Sequence, residues 1–190
     1  MIRLATVGTG WIVGEFLKGV REAGGICYTA CYSRDQQRGE AFAEEWGAQK
    51  VYTDLAQMAA DEEIDAVYIA SPNRLHYEQS KLFLQHGKHV ICEKPITVEP
   101  EELQELQELA QQKNLIYIEA LIGVYLPQMK VLQGAVERLG PVHLARFDFS
   151  QYSSKYPAYL RGELPNIFNP QMATGGWMDL GIYCLYPAIM

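Results

Sequence analysis

The stretch IRLATVGTGWIVG, at residues 2–14, decides the predicted fold of this 190-residue chain. Its apolar first half ends at Val7, and Gly8 and Gly10 follow before a segment of helical period begins. The first glycine permits a tight turn, and the second lets the backbone approach a pyrophosphate at a helix N-terminus. This order of strand, turn and helix predicts a dinucleotide-binding unit.

The glycine pattern is imperfect at its third position. Glycine or alanine is usual there because it allows close packing of helix on strand, whereas this chain has Val13 followed by Gly14. Taken alone, the pattern is also compatible with an ordinary pair of turn glycines. Its place directly after the first strand favours binding instead. The residues expected to contact the dinucleotide here are Gly8, Gly10, Trp11 and Ile12.

Short β-branched or apolar runs alternate with helical segments downstream, which is typical of βαβ units around a parallel sheet. The predicted strands are 2–7, 26–32, 51–53, 66–70, 89–92 and 115–118. The predicted helices are 11–22, 35–46, 54–59, 74–85 and 101–113. The pattern therefore predicts an α/β fold, with an N-terminal Rossmann domain over residues 1–120 built on a doubly wound parallel sheet.

The regular alternation of short strands and helices ends near residue 120. Residues 121–190 predict an incomplete α+β second domain. We expect a helix at 128–138, a strand at 142–152 and an apolar helix at 177–186. A lone strand would leave its backbone polar groups and its apolar face open to water. We therefore expect residues 141–190 to be covered by another copy of the chain, as in a homo-oligomer, or to dock loosely.

Composition excludes several classes of protein. The chain is 48% hydrophobic and 21% charged, which predicts a globular core, and its net charge of -7 argues against nucleic acid as a partner. No apolar run approaches the roughly 20 residues that span a bilayer, and the N-terminus lacks the features of a secretory signal. The four cysteines form no Cys-x-x-Cys pair, and no histidine lies at zinc-ligand spacing. These features predict a cytoplasmic protein with no metal site and no membrane partner.

The end of the second predicted strand bears on the choice between NADP and NAD. It carries Ser33 and Arg34, with Arg38 one turn further on. A site for NAD usually has a carboxylate there to bind the ribose 2′-hydroxyl, whereas a hydroxyl and a guanidinium suit a 2′-phosphate. NADP is therefore favoured over NAD. Alternatively, the two arginines form a solvated helix start paired with Asp35.

A lysine follows the fifth predicted strand in the run Cys92-Glu93-Lys94-Pro95. Ligands in doubly wound sheets bind beyond the carboxyl ends of the strands, so Lys94 is placed to reach a nicotinamide. By residue type alone, an ordinary surface lysine beside a turn proline is the favoured interpretation, and the position at the strand end favours the cofactor role instead.

Five stretches together resemble the Gfo/Idh/MocA family of glucose-fructose oxidoreductases and inositol dehydrogenases. They are residues 8–14, IASPNRLH at 69–76, GKHVICEKP at 87–95, Glu119-Ala120 and GGWMDLGIY at 175–183. The resemblance implies a Rossmann domain that binds NAD(P), followed by a second domain that holds the substrate. The stretch from Pro141 to Met190 is short for such a domain, so the resemblance also implies truncation.

The resemblance assigns roles to individual residues. It implies that Lys94 is the catalytic-site lysine, that Asp179 and Tyr183 face it from the second domain, and that Pro95 follows a cis peptide bond. The positions it places around the cofactor are Ser71, Pro72, Asn73, His76, Glu93 and Lys94. The chain departs from the dihydrodiol dehydrogenase branch at residues 121–124, where LIGV replaces a segment that carries an arginine.

The chemistry of these residues agrees with alcohol oxidation. A four-residue separation puts Asp179 and Tyr183 on one helix face, and a nearby ammonium such as that of Lys94 would favour the phenolate of a tyrosine that accepts a hydroxyl proton. Tyr183 is otherwise an ordinary core aromatic. The sequence predicts an NAD(P)-dependent oxidoreductase acting on a sugar, polyol or cyclic diol. The alternatives are a dinucleotide-binding relative without turnover and a protein with a purely structural role.

Overall fold

The computed structural model describes all 190 residues, and the chain divides into two compact units, Met1–Ala120 and Leu121–Met190. The first unit contains a six-stranded sheet in the order β3-β2-β1-β4-β5-β6, with every neighbouring pair parallel. The strands are β1 Ile2–Val7, β2 Ile26–Tyr32, β3 Lys50–Tyr52, β4 Ala66–Ile69, β5 His89–Cys92 and β6 Tyr117–Glu119. This order confirms the predicted doubly wound parallel sheet.

Five helices connect the strands and cover both faces of the sheet. They are α1 Trp11–Ala23, α2 Gln36–Trp46, α3 Leu55–Ala60, α4 His76–Gln85 and α5 Pro100–Gln112. One buried cluster joins α1 and α2 to one face through side chains such as Val13, Leu17 and Phe42. Another joins α3, α4 and α5 to the opposite face, with Phe83 and Leu106 fully buried. Because both faces are covered, central strand β4 is buried at all four residues.

Local sequence signals fix where several helices begin. Asp35 caps α2, since its side chain accepts a hydrogen bond from the backbone N–H of Arg38, and Asp54 caps α3 in the same way. Helix α5 begins with a capping box in which Glu99 and Glu102 each bond to the backbone at the other's position. The helix predicted at 74–85 begins two residues later, because Asn73–Leu75 forms a 3₁₀ turn.

The second unit is helical, and the strand predicted at 142–152 is wrong. Its regular elements are α6 Ile122–Tyr125, α7 Pro127–Leu139, α8 Tyr156–Leu160, a π-helical turn at Trp177–Gly181 and α9 Ile182–Ile189, with 3₁₀ turns at Asn166–Phe168 and Pro170–Met172. Residues 142–152 alternate in polarity as a strand does, but no other segment offers them a backbone ladder. A strand cannot form without such a partner.

The structure contains neither a membrane-spanning helix nor a cluster of metal-ligating side chains. No helix combines the length and the apolar character needed to cross a bilayer, and no group of three or more histidine, cysteine, aspartate or glutamate side chains is arranged to bind a metal ion. All four cysteines are free thiols, and Cys31 and Cys92 are buried.

Candidate functional site

The carboxyl ends of β1, β2, β4 and β5 carry most of the predicted binding residues to one edge of the sheet. The glycine turn follows β1, Ser33 follows β2, Ser71 follows β4, and Glu93 and Lys94 follow β5. The order of the strands reverses between β1 and β4, and ligands of doubly wound sheets bind at that reversal. The topology alone therefore makes this edge the candidate dinucleotide site.

The glycine turn is shaped for close approach to a ligand. Gly8 has φ +112°, a conformation that favours glycine, and a side-chain Cβ there would lie 3.0 Å from the carbonyl oxygen of Ala70. At Gly10 a Cβ would meet no protein atom within 4 Å, so the space above this residue is open. The structure gives the backbone N–H groups of Trp11 and Ile12 no protein acceptor. An open space beside free N–H donors at a helix N-terminus suits a pyrophosphate.

The departure at the third glycine position has a structural explanation. Val13 is fully buried between α1 and the sheet. Close packing occurs at the next residue, where a Cβ on Gly14 would lie 2.8 Å from the ring of Trp46 on α2. Arg21 is on the same helix as Gly14, and its guanidinium lies 4.7 Å from the centre of the Trp46 ring. In this chain the close packing that requires a small residue is therefore at position 14, against a tryptophan, and not at position 13.

The residues after β2 form a polar corner beside the glycine turn. Ser33 is buried, and its hydroxyl oxygen accepts a hydrogen bond from the backbone N–H of Asp35 at 3.2 Å. A guanidinium nitrogen of Arg38 donates to the carbonyl oxygen of Thr9 at 3.4 Å, which brings the cation to the glycine turn. Asp35 uses its carboxylate as a helix cap and makes no ion pair with Arg34 or Arg38. Both guanidiniums therefore stay available to an anionic ligand.

The segment after β4 is held from below by α4. The hydroxyl of Ser71 donates to the Oε1 atom of Gln79 at 2.6 Å, and the ring of His76 contacts the carbonyl oxygen of Ser71 at 2.8 Å. His76 is wholly buried, and burial lowers the pKa of its ring. Pro72 and Asn73, which continue the segment, are half-buried.

Glu93 and Lys94 follow the end of β5, and the peptide bond between Lys94 and Pro95 is cis. The hydroxyl of Tyr68 donates to Glu93 Oε1 at 2.5 Å, and the Tyr68 ring stacks on Phe16 with centroids 3.8 Å apart. The second carboxylate oxygen of Glu93 accepts from the backbone N–H of Lys94 at 3.2 Å. Both carboxylate oxygens of Glu93 are therefore held, one by the hydroxyl of Tyr68 and the other by the backbone of Lys94.

A second carboxylate lies on the neighbouring strand. Glu119 ends β6, and its Oε1 atom accepts a hydrogen bond from the backbone N–H of Ile96 at 2.8 Å. Burial raises the pKa of Glu119, the negative charge of Glu93 adds to that rise, and the charge of Lys94 opposes it. Sequence reasoning assigned no role to Glu119, Tyr68 or Gln79, although all three hold backbone or side chains of the candidate site. For Glu119, its position at a strand end was the available signal.

In the second unit, Asp179 and Tyr183 lie on consecutive turns of helix. Asp179 is in the π-helical turn, Tyr183 is in α9, and both are half-buried. The ring of Tyr183 stacks on Phe149 at a centroid distance of 5.2 Å. A Cβ on Gly181 would lie 2.9 Å from the ring of Trp177, which explains glycine at this point of the turn. Sequence reasoning predicted a helix here but missed its π-helical geometry, which recurs at functional sites.

Comparison with known proteins agrees with the geometry of the first unit. Residues 2–121 match the oxidoreductase family with an NAD-binding Rossmann fold, GFO_IDH_MocA. The chain belongs to this family. Scyllo-inositol 2-dehydrogenase (NADP(+)) IolU of Bacillus subtilis is 41% identical over 190 residues, covering 100% of this chain and 58% of that relative. Trans-1,2-dihydrobenzene-1,2-diol dehydrogenase of Mus musculus is 30% identical over 158 residues, covering 82% of this chain and 45% of that relative.

A solved structure agrees with the fold of the first unit. KijD10, a 3-ketoreductase of Actinomadura kijaniata in complex with NADP and TDP-benzene, superposes with a TM-score of 0.67 at 27% identity, covering 72% of this chain and 42% of that one. The chain thus spans little more than half the length of its curated relatives. Membership in the family confirms the resemblance that the five sequence stretches indicated.

Proposed function

We propose that Met1–Ala120 binds NADP(H) and that the protein is an oxidoreductase of polyols, sugars or cyclic diols. The observation that carries the cofactor assignment is the guanidinium of Arg38 at the glycine turn, beside the open space over Gly10. The turn and the N–H groups of Trp11 and Ile12 would hold the pyrophosphate, and Ser33, Arg34 and Arg38 would hold a 2′-phosphate. Relatives named as NADP-dependent support this choice over NAD.

When bound, the nicotinamide supplies the carbon that accepts or donates hydride. The chain's own residues then have to orient the substrate and move a proton. We propose that Tyr183 Oη takes the proton of the substrate hydroxyl and that Lys94 Nζ favours the phenolate by its charge. Asp179 would orient the hydroxyl or the lysine, and Asn73 and Glu93 would border the nicotinamide and ribose. The proposal requires Lys94 and Tyr183 to act on the same substrate molecule.

Binding calorimetry of the full chain with NADPH, NADP, NADH and NAD tests the cofactor assignment. We expect the phosphorylated dinucleotides to bind more tightly. A charge-assisted hydrogen bond contributes about 1.5–3 kcal/mol, so Arg38→Ala should weaken NADPH binding about 10-fold or more and leave NADH nearly unchanged. Gln37→Ala, the neighbouring exposed position on α2, is the matched control. Tighter binding of NADH by the unmodified chain would contradict the role of Arg38.

Turnover is tested with a panel of inositols, aldoses and cyclic diols by following NADPH absorbance. We expect oxidation of at least one secondary alcohol in the panel with NADP. Dinucleotide binding without turnover of any of them would favour a binding protein without catalysis. Failure to bind any dinucleotide would leave the structural alternative.

A further inference from the structure

A single imidazole spans two of the loops at the candidate site. His76 is the first residue of α4, and its ring is 0% exposed. Its Nδ1 atom lies 2.7 Å from the carbonyl oxygen of Pro95, and its Nε2 atom lies 2.8 Å from that of Ser71. The two carbonyls belong to different loops, one following β5 and the other following β4.

The two loops leave neighbouring strands and soon lose the support of the sheet. The backbone ladder between β4 and β5 ends with the N–H of Glu93 bonding the carbonyl of Ile69 at 2.8 Å. Ser71 and Pro95 both lie beyond that bond. The ring of His76 therefore continues the connection past the point where the ladder stops.

The two loops are not tied to α4 equally. Ser71 has a second tether, because its hydroxyl also bonds Gln79 one turn further along α4. The carbonyl of Pro95 reaches α4 through the ring of His76. Loss of that ring should therefore release the loop of Lys94 more than the loop of Ser71.

Burial of a polar ring has a cost that an apolar side chain would avoid. An imidazole buried without partners loses its hydration, and here the ring lies between two backbone carbonyls. The neutral ring carries one N–H and donates to one of these carbonyls, while its other nitrogen lies in contact with the second. A leucine of similar size would fill the space without joining the loops. The chemistry of the side chain thus matches a connecting role rather than simple packing.

We propose that His76 is a positioning residue that clasps the loop of Lys94 to the loop of Ser71 and Asn73. The clasp makes the two loops one surface toward the nicotinamide half of a bound dinucleotide. In the proposed site, the glycine turn would hold the pyrophosphate, and Ser33, Arg34 and Arg38 would hold the 2′-phosphate of the adenosine half. This inference rests on the proposed NADP(H) site, and it gives His76 a role beneath that site instead of the direct contact that the sequence predicted.

The test compares two ligands that share the adenosine half. NADPH carries the nicotinamide, whereas 2′,5′-ADP carries the adenosine with its 2′- and 5′-phosphates and has no nicotinamide. By calorimetry on the full chain, His76→Ala should bind NADPH about 10-fold more weakly and 2′,5′-ADP with unchanged affinity. His76→Gln, which keeps an N–H donor, should recover part of the loss. His89→Ala is the matched control, since that imidazole accepts a hydrogen bond from Ile116 at the opposite end of β5.

Amide hydrogen exchange of the ligand-free chain provides a second readout that does not depend on the cofactor. His76→Ala should speed exchange in residues 71–75 and 93–97, and His89→Ala should not. Unchanged NADPH affinity, or an equal loss for both ligands, would overturn the clasp. If the unmodified chain binds neither ligand, the proposed function fails. The clasp is then judged separately, and unchanged amide exchange at the two loops in His76→Ala would contradict it. Should His76→Ala fail to fold, His76→Gln replaces it in both measurements.

Discussion

At the scale of single residues, Lys94 and Tyr183 lend themselves to a paired test of proton transfer. Lys94→Met keeps the length of the side chain and removes its charge, and Tyr183→Phe removes only the hydroxyl. If the tyrosine accepts the substrate proton with help from the ammonium, each change should lower kcat by about 10²-fold, with a smaller effect on NADPH affinity. Phe149→Leu, which removes the ring stacked on Tyr183 and leaves the hydroxyl, is the control. Near-normal turnover in Tyr183→Phe would assign that residue to packing.

The buried ring of His76 also predicts a pH dependence of stability. Burial lowers its pKa from 6.5, while its carbonyl partners and the charge of Glu93 raise it and the charge of Lys94 lowers it. The unfolded chain therefore binds this proton more tightly than the folded protein does. The contribution to the free energy of unfolding is complete above about pH 6.5 and is lost progressively as the pH falls through the lower folded pKa.

Urea unfolding between about pH 7.5 and about pH 5.5 measures this dependence. We expect the unmodified chain to lose more stability over that interval than His76→Gln, which has no group to protonate at this position. His89→Gln controls for the loss of an imidazole elsewhere. Parallel curves for the unmodified chain and His76→Gln would show that the buried ring takes up its proton without cost.

At the scale of elements, the capping box of α5 is a discrete source of stability. The Glu102 carboxylate accepts from the backbone N–H groups of Val98 and Glu99, at 3.2 and 3.3 Å. Glu102→Ala should lower the free energy of unfolding by about 0.5–2 kcal/mol, as measured by urea denaturation. Glu101→Ala, an exposed acid in the same turn, retains the cap and should cost less. Equal losses would mean that the helix dipole rather than the cap carries the effect.

The elements also show what the sequence could and could not predict. Strands β1, β2 and β5 fall on their predicted residues, because β-branched runs bounded by glycine or polar residues leave little choice of period. The segment 142–152 failed, since its alternation carries no information about whether a partner strand exists. The sequence could predict which residues lie at the carboxyl edge of the sheet, because the end of a strand fixes the edge at which the next residues lie. The sequence could not predict the clasp of His76, because the ring contacts residues 71 and 95, and only the fold shows that these residues are its partners.

At the scale of the whole molecule, the two units differ sharply in their interiors. Met1–Ala120 contains both buried clusters. In Leu121–Met190, many large apolar side chains are exposed, among them Leu144, Leu160 and Leu164 at 89, 66 and 58%. Surfaces of this kind are typical of segments that pack against another protein surface. A second copy of the chain therefore stays our proposal for residues 141–190.

Limited trypsin digestion combined with sedimentation analysis tests this proposal. Arg146 lies in an exposed stretch without regular structure, whereas Arg38 is exposed but helical. In a monomer we expect cleavage at Arg146 first, leaving Met1–Ala120 intact, because a protease needs a locally open backbone. In an oligomer that covers the segment, cleavage at Arg146 should slow as protein concentration rises. A monodisperse monomer that resists cleavage at Arg146 would contradict both expectations.

The contact between Gly14 and Trp46 makes the order of evolutionary change matter. An alanine at residue 14 meets the indole ring at 2.8 Å, so that step is unfavourable while the tryptophan remains. Replacement of Trp46 by a smaller residue first leaves a cavity but no clash, and alanine at 14 can then follow. The two positions form an epistatic pair with one accessible path. Alanine at residue 14 is therefore tolerated only after the side chain at position 46 has become smaller.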